Sequence, residues 1–68
     1  GLSKAELQIA RNEIYARHGR KFKNPDLQAW FNSCSWYKGT IEPAAFDESS
    51  LSDVELANVY FLKEKENG

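Results

Sequence analysis

The sequence predicts a small all-α domain, and three observations predict it. Helix-start signals recur along the chain, apolar residues between them repeat at helical spacing, and no stretch sustains the alternation of a strand. The expected architecture is a small four-helix domain, with three main helices and a short helical turn near residues 43–47. A chain of 68 residues has room for one core. A domain of that size buries only roughly 60% of its unfolded surface and depends on good packing. A composition that is 41% hydrophobic and 28% charged belongs to a globule rather than to a disordered chain.

The first helix opens at a capping box, Ser3-Lys4-Ala5-Glu6, with Leu2 and Leu7 placed as a hydrophobic staple. It is expected to run from residue 4 to His18, because Gly19 can take the left-handed conformation that closes a helix. Projected at about 100° per residue, Leu7, Ala10, Arg11, Ile14 and His18 share one stripe, while Ile9 points away as a second apolar face. Asn24-Pro25-Asp26 starts the second helix, over residues 25–33, with an Asn cap and a proline in the first turn. Leu27, Trp30, Phe31 and Cys34 form its expected core stripe.

Residues 34–50 are too many for a structureless loop in so small a domain. Trp36, Tyr37, Ile41 and Phe46 are the expected anchors, and Pro43 to Asp47 the expected helical turn. The last helix opens at a further capping box, Ser52-Asp53-Val54-Glu55, stapled by Leu51 and Leu56, and continues through Val59 and Leu62. Its inward stripe reads Glu55, Val59, Leu62 and Glu66, with Asn58 beside it. Both this stripe and that of the first helix mix polar and apolar groups. Buried charges must be paired, so Arg11 or Arg17 is expected to meet Glu55 or Asn58 across the packed helices.

Charge is distributed unevenly. Residues 1–41 carry seven Lys/Arg against three Asp/Glu, and residues 42–68 carry two against seven, so +4 and −5 give the net −1. One reading is that the halves attract each other; the other is a local basic patch at Arg17, Arg20, Lys21 and Lys23, able to receive a carboxylate or phosphate. A pI near 5.8 argues against a nucleic-acid partner. A single cysteine, Cys34, excludes an internal disulfide and supplies no zinc-ligand spacing, and no second metal ligand accompanies His18.

No apolar run is long enough to span a membrane, and Gly-Leu-Ser-Lys lacks the order of a signal peptide, so residues 1–68 read as one domain cut from a longer protein. Catalysis is not expected, and neither is a cofactor. A nucleophile needs an oriented base, and Cys34 and His18 would serve only if the fold joined them. The adjacent Asp47 and Glu48 cannot flank a sugar bond across a cleft.

Tyr15-Ala16-Arg17-His18-Gly19 concentrates the only histidine, an arginine and a tyrosine at one helix end. Facing solvent, these polar groups would form a binding surface; facing inward, a hydrogen-bonded core. The longer run from Ala10 to Phe22, together with Trp36-Tyr37 and the Leu51…Glu55…Asn58 spacing, resembles the YARHG domain family over nearly the whole chain. The resemblance implies a bacterial, extracytoplasmic domain of four helices that accompanies other cell-envelope modules and binds peptidoglycan.

The first functional expectation is therefore a non-catalytic binding module of the bacterial cell envelope, with peptidoglycan or other cell-wall material as partner. Its expected ligand-binding residues are Tyr15, Arg17, His18, Arg20, Trp36 and Tyr37. Aromatic rings would stack on sugars, and the cations would take carboxylates. Of Trp36 and Tyr37, one is expected to plug the core and the other to be exposed. The alternative is a protein-interaction or spacer domain in which the motif is purely structural, with Val54, Leu56, Tyr60 and Phe61 as a contact surface on the last helix.

Overall fold

The computed structural model describes residues 3–67 and shows a small all-α domain, with no strand among those residues. Three α-helices, α1 (Lys4–Ala16), α2 (Pro25–Asn32) and α3 (Asp53–Asn67), are accompanied by two 3₁₀ turns, η1 (Pro43–Ala45) and η2 (Glu48–Ser50). The second turn was not expected from the sequence. It forms because the Asp47 carboxylate accepts the Ser49 amide at 2.9 Å and caps it.

The start signals act as read. Ser3 and Glu6 exchange both capping-box bonds, the Asn24 side chain accepts the Asp26 and Leu27 amides, and Ser52 and Glu55 form the last box. Leu51 and Leu56 both pack into the core. The staple proposed for Leu2 lies outside the described residues.

At its C-terminal end α1 tightens before it stops. The regular helix ends at Ala16, and His18 N–H bonds back to Tyr15 O in a 3₁₀ turn. Gly19, at φ +86°, then closes a Schellman motif, in which its N–H donates to Ala16 O and Arg20 N–H to Tyr15 O. The turned-back Gly19 carbonyl accepts the amides of both Thr40 and Ile41 at 2.9 Å. Lys21 N–H reaches Ile41 O at 2.7 Å, so an isolated bridge at Arg20 and Ile41 ties the long connection to the end of α1.

The core gathers Tyr15, Ala16, Phe22, Leu27, Phe31, Leu51 and Val59. Phe31 is completely buried, stacked on Phe22 at 4.9 Å and touched by Tyr37 and Trp36 at 5.8 and 6.1 Å. Such ring pairs each add about 0.5–1.5 kcal/mol beyond the area they bury. Helix α1 packs mainly on α3 and only lightly on α2.

Two stripes differ from expectation. In α1 the most deeply buried face is Asn12, Tyr15 and Ala16, and Ile9 packs on the same core rather than forming a free second face. The predicted stripe of Leu7, Ala10, Arg11, Ile14 and His18 is only half-buried. The reason is that α1 is enclosed over a broad arc by α3 on one side and by α2 and the connection on another, which a one-face projection does not represent. In α2, Leu27 and Phe31 are buried and Cys34 half-buried, but Trp30 is 50% exposed. It stands at the edge of the stripe and covers a shallow cleft with Ala5, Gln8 and Ile9.

A Cβ at residue 19 would sit in the left-handed region and 3.2 Å from both Lys38 O and Thr40 Oγ1. Gly19→Ala is therefore expected to destabilise the domain by about 1–2 kcal/mol or more, read as a lowered denaturation midpoint. A substitution that leaves the midpoint unchanged would show that the turn does not need glycine.

Candidate functional site

The residues of the Tyr15–Gly19 segment diverge to different parts of the fold. Tyr15 is buried, its ring meets Phe46 edge-on at 5.6 Å, and its hydroxyl donates to Glu48 at 3.4 Å. Burial, followed by the Glu48 charge, raises its pKa above the ordinary phenol value, so the hydroxyl remains a donor. Ala16 is sealed in the core.

Arg17 faces outward. Its guanidinium pairs with Glu13 at 3.3 Å and lies 4.3 Å above the Trp36 ring. Trp36 remains partly exposed, while Tyr37 packs on the core and donates its hydroxyl to Arg20 O at 2.8 Å. One aromatic thus plugs and the other is displayed, and the displayed ring carries a cation on its face.

His18 Nε2 stands 2.8 Å from Glu55 Oε2, with Phe46 edge-on to the imidazole at 6.4 Å. Glu55 has two tasks, because its other oxygen accepts the Ser52 amide in the capping box of α3. Those interactions, the Ser52 backbone bond first and the His18 bond next, hold the Glu55 carboxyl below its ordinary pKa. Arg11 pairs with Glu66 instead, at 2.5 Å. The polar stripes therefore do meet across α1 and α3, but not in the expected pairs. The antiparallel register sets Arg11 against the end of α3 and His18 against its start, Arg17 lies outside the interface, and Asn58 is exposed.

Arg20 is the remaining candidate. Its guanidinium lies 5.1, 5.3 and 5.9 Å from the rings of Tyr15, Phe22 and Phe46, and it makes no ion pair among the described residues. It lines an open cleft of about 420 Å³ with Gln8, Arg11, Lys23, Asn24 and the apolar floor of Phe22 and Leu27. A second cleft of about 600 Å³ lies over Lys21, Gln28 and Asn32. Both clefts share Phe22, Lys23, Pro43 and Ala44, so they lie side by side along η1 and make one grooved face.

Of the six residues singled out in the sequence, Arg20 lines this groove, Arg17 and Trp36 form a separate exposed shelf, and Tyr15, His18 and Tyr37 are engaged in holding the fold. Gln8, Phe22 and Asn24, which complete the groove, were not among them. Asn24 was legible only as a helix cap and Phe22 only as an apolar residue. The basic run did contain the pertinent signal, since Arg17 pairs with Glu13 and Lys21 with Glu42, leaving Arg20 and Lys23 without acid partners among the described residues.

Cys34 Sγ contacts Trp30 O at 3.6 Å, and no hydrogen bond joins it to His18. Among the described residues no group of three His, Cys, Asp or Glu side chains could hold a metal ion, and no helix is long and apolar enough to cross a membrane.

One family profile, described as the YARHG domain, matches residues 1–67. No curated protein and no solved structure matches the chain.

Because the folded-state pKa of Glu55 is depressed, its contribution to stability is present above the unfolded carboxylate value of about 4.3 and is lost as pH falls through the folded value. Melting temperature measured from neutral pH down through the carboxylate range should fall, and Glu55→Gln should flatten that decline. An identical acid limb in the variant would show that Glu55 does not carry it.

Proposed function

This chain belongs to the YARHG domain family, an extracytoplasmic family, and on that premise we propose that it is a non-catalytic binding module for bacterial cell-wall material. The observation that supports the reading is the grooved face over Phe22. It offers an apolar floor, two cations without acid partners among the described residues, Arg20 and Lys23, and on the same face the Gln8 side chain and the Asn24 NH₂, which make no hydrogen bond among them. A polymer of amino sugars and short peptides presents the complementary set of apolar ring faces, amides and carboxylates. The groove is open and shallow, so single contacts are weak. Retention on a wall would depend on several copies or modules acting together.

The Arg17–Trp36 shelf adds to this surface rather than replacing it. Its ring is partly exposed and its guanidinium can exchange Glu13 for a ligand carboxylate, because an exposed ion pair is worth only about 0–1 kcal/mol.

A second reading, a protein-interaction domain, is favoured by the outer face of α3. Val54, Tyr60 and Phe61 are 71%, 60% and 59% exposed, a large apolar surface for one fifteen-residue helix.

The domain incubated at low salt with purified sacculi should sediment with them, and raised salt should release it. A folded domain left wholly in the supernatant would overturn the wall-binding reading. In light scattering, self-association through α3 predicts a mass that rises with concentration and returns to the monomer in Tyr60→Ser/Phe61→Ser. A monomer throughout would remove the second copy as the partner of that face.

A further inference from the structure

We propose that the Arg20 end of the groove is a carboxylate-binding subsite that takes the free C-terminal acid of a peptide. This rests on the wall-binding reading only for the natural source of the peptide; the site itself is argued from its own geometry.

Arg20 is the central group. Three aromatic rings surround its guanidinium, and its backbone carbonyl is held by the Tyr37 hydroxyl, so the residue is fixed at both ends. A restrained guanidinium loses less freedom on binding than a free one. With no acid partner among the described residues, its planar fork of donors remains available to a planar, two-oxygen acceptor. Lys23 stands at the same cleft, exposed and likewise without an ion pair.

The other lining groups define what the acid is attached to. Asn24 commits its side-chain oxygen to the Asp26 and Leu27 amides, which leaves its NH₂ to donate, and the Gln8 side chain makes no hydrogen bond among the described residues. Both suit the peptide group next to a terminal carboxylate. Phe22 and Leu27 below, with Pro43 and Ala44 opposite, leave apolar space for a small alkyl side chain.

Charge favours an anion at this end of the groove. Arg11 lines the cleft but is neutralised by Glu66, and the Glu48 carboxylate approaches the neighbouring Tyr15 hydroxyl. Within the cleft the unpaired positive charge is therefore that of Arg20 and Lys23. Inorganic phosphate lacks the peptide group and alkyl side chain that Gln8, Asn24 and the apolar lining would contact, so it gains only the charge interaction.

The test is an NMR titration of the labelled domain with N-acetyl-alanyl-alanine, its C-terminal amide and inorganic phosphate. The free acid should shift Gln8, Arg20, Lys23 and Asn24 saturably, and the amide and phosphate should bind at least about tenfold more weakly, the size of one charge-assisted hydrogen-bond pair. Arg20→Gln should abolish the preference for acid over amide. If that variant fails to fold, Lys23→Gln, on an exposed side chain, carries the test and should reduce the preference severalfold. Equal binding of acid and amide, phosphate binding as tight as the acid, or shifts confined to Arg17 and Trp36 would each overturn the subsite. Sacculus sedimentation separates the two proposals. Binding to sacculi that survives without any acid preference would sink the subsite alone, and acid preference without sacculus binding would sink the wall-binding reading alone.

Discussion

The left-handed turn at Gly19 is the constraint on which the rest of the structure depends. It reverses the chain after α1 and, in doing so, points one carbonyl at the amides of Thr40 and Ile41. The long connection is thereby fastened to the end of a helix, even though it contributes no helix longer than one turn. Tyr37 then reaches Arg20 O, and the η1 turn is placed opposite Phe22. Any residue with a Cβ would meet both a conformational penalty and the backbone of the segment it holds.

The segment before that glycine distributes its side chains around the turn. Tyr15 goes to Phe46 and Glu48, Ala16 to the core, Arg17 to Trp36 and His18 to the capping carboxylate of α3. Four consecutive residues can do this because the helix tightens into a 3₁₀ turn and then reverses, so successive side chains leave in widely separated directions. The density of polar groups at this helix end is thus mostly the chemistry of a junction. Its binding capacity lies at the margins, in Arg17 outside the fold and in Arg20 just past the turn.

Charge complementarity reinforces the same arrangement. Arg11–Glu66, His18–Glu55 and Lys21–Glu42 all join the basic first part of the chain to the acidic second part. Partly exposed pairs contribute little stability each, but Arg11–Glu66 and His18–Glu55 favour the observed register of α1 on α3, because a shifted register would separate these partners. Arg20 and Lys23, which none of these pairs consumes, are displayed in the groove.

The sequence by itself determined the helices, because capping boxes, an Asn-Pro start and a closing glycine are local chemistry that acts within four or five residues. It also determined the inward stripe of α3 and the general attraction between the two parts of the chain. Tertiary structure decided which charges meet, since Arg11 found Glu66 rather than Glu55 only through the antiparallel register of two helices far apart in sequence. It decided that Trp30 is displayed and Ile9 covered, because the width of the buried arc depends on what surrounds each helix. It decided the groove as well. Gln8 comes from α1, Arg20 and Asn24 from the link between α1 and α2, and Ala44 from η1, and no local pattern records which polar groups remain unpaired once every other partner has been chosen.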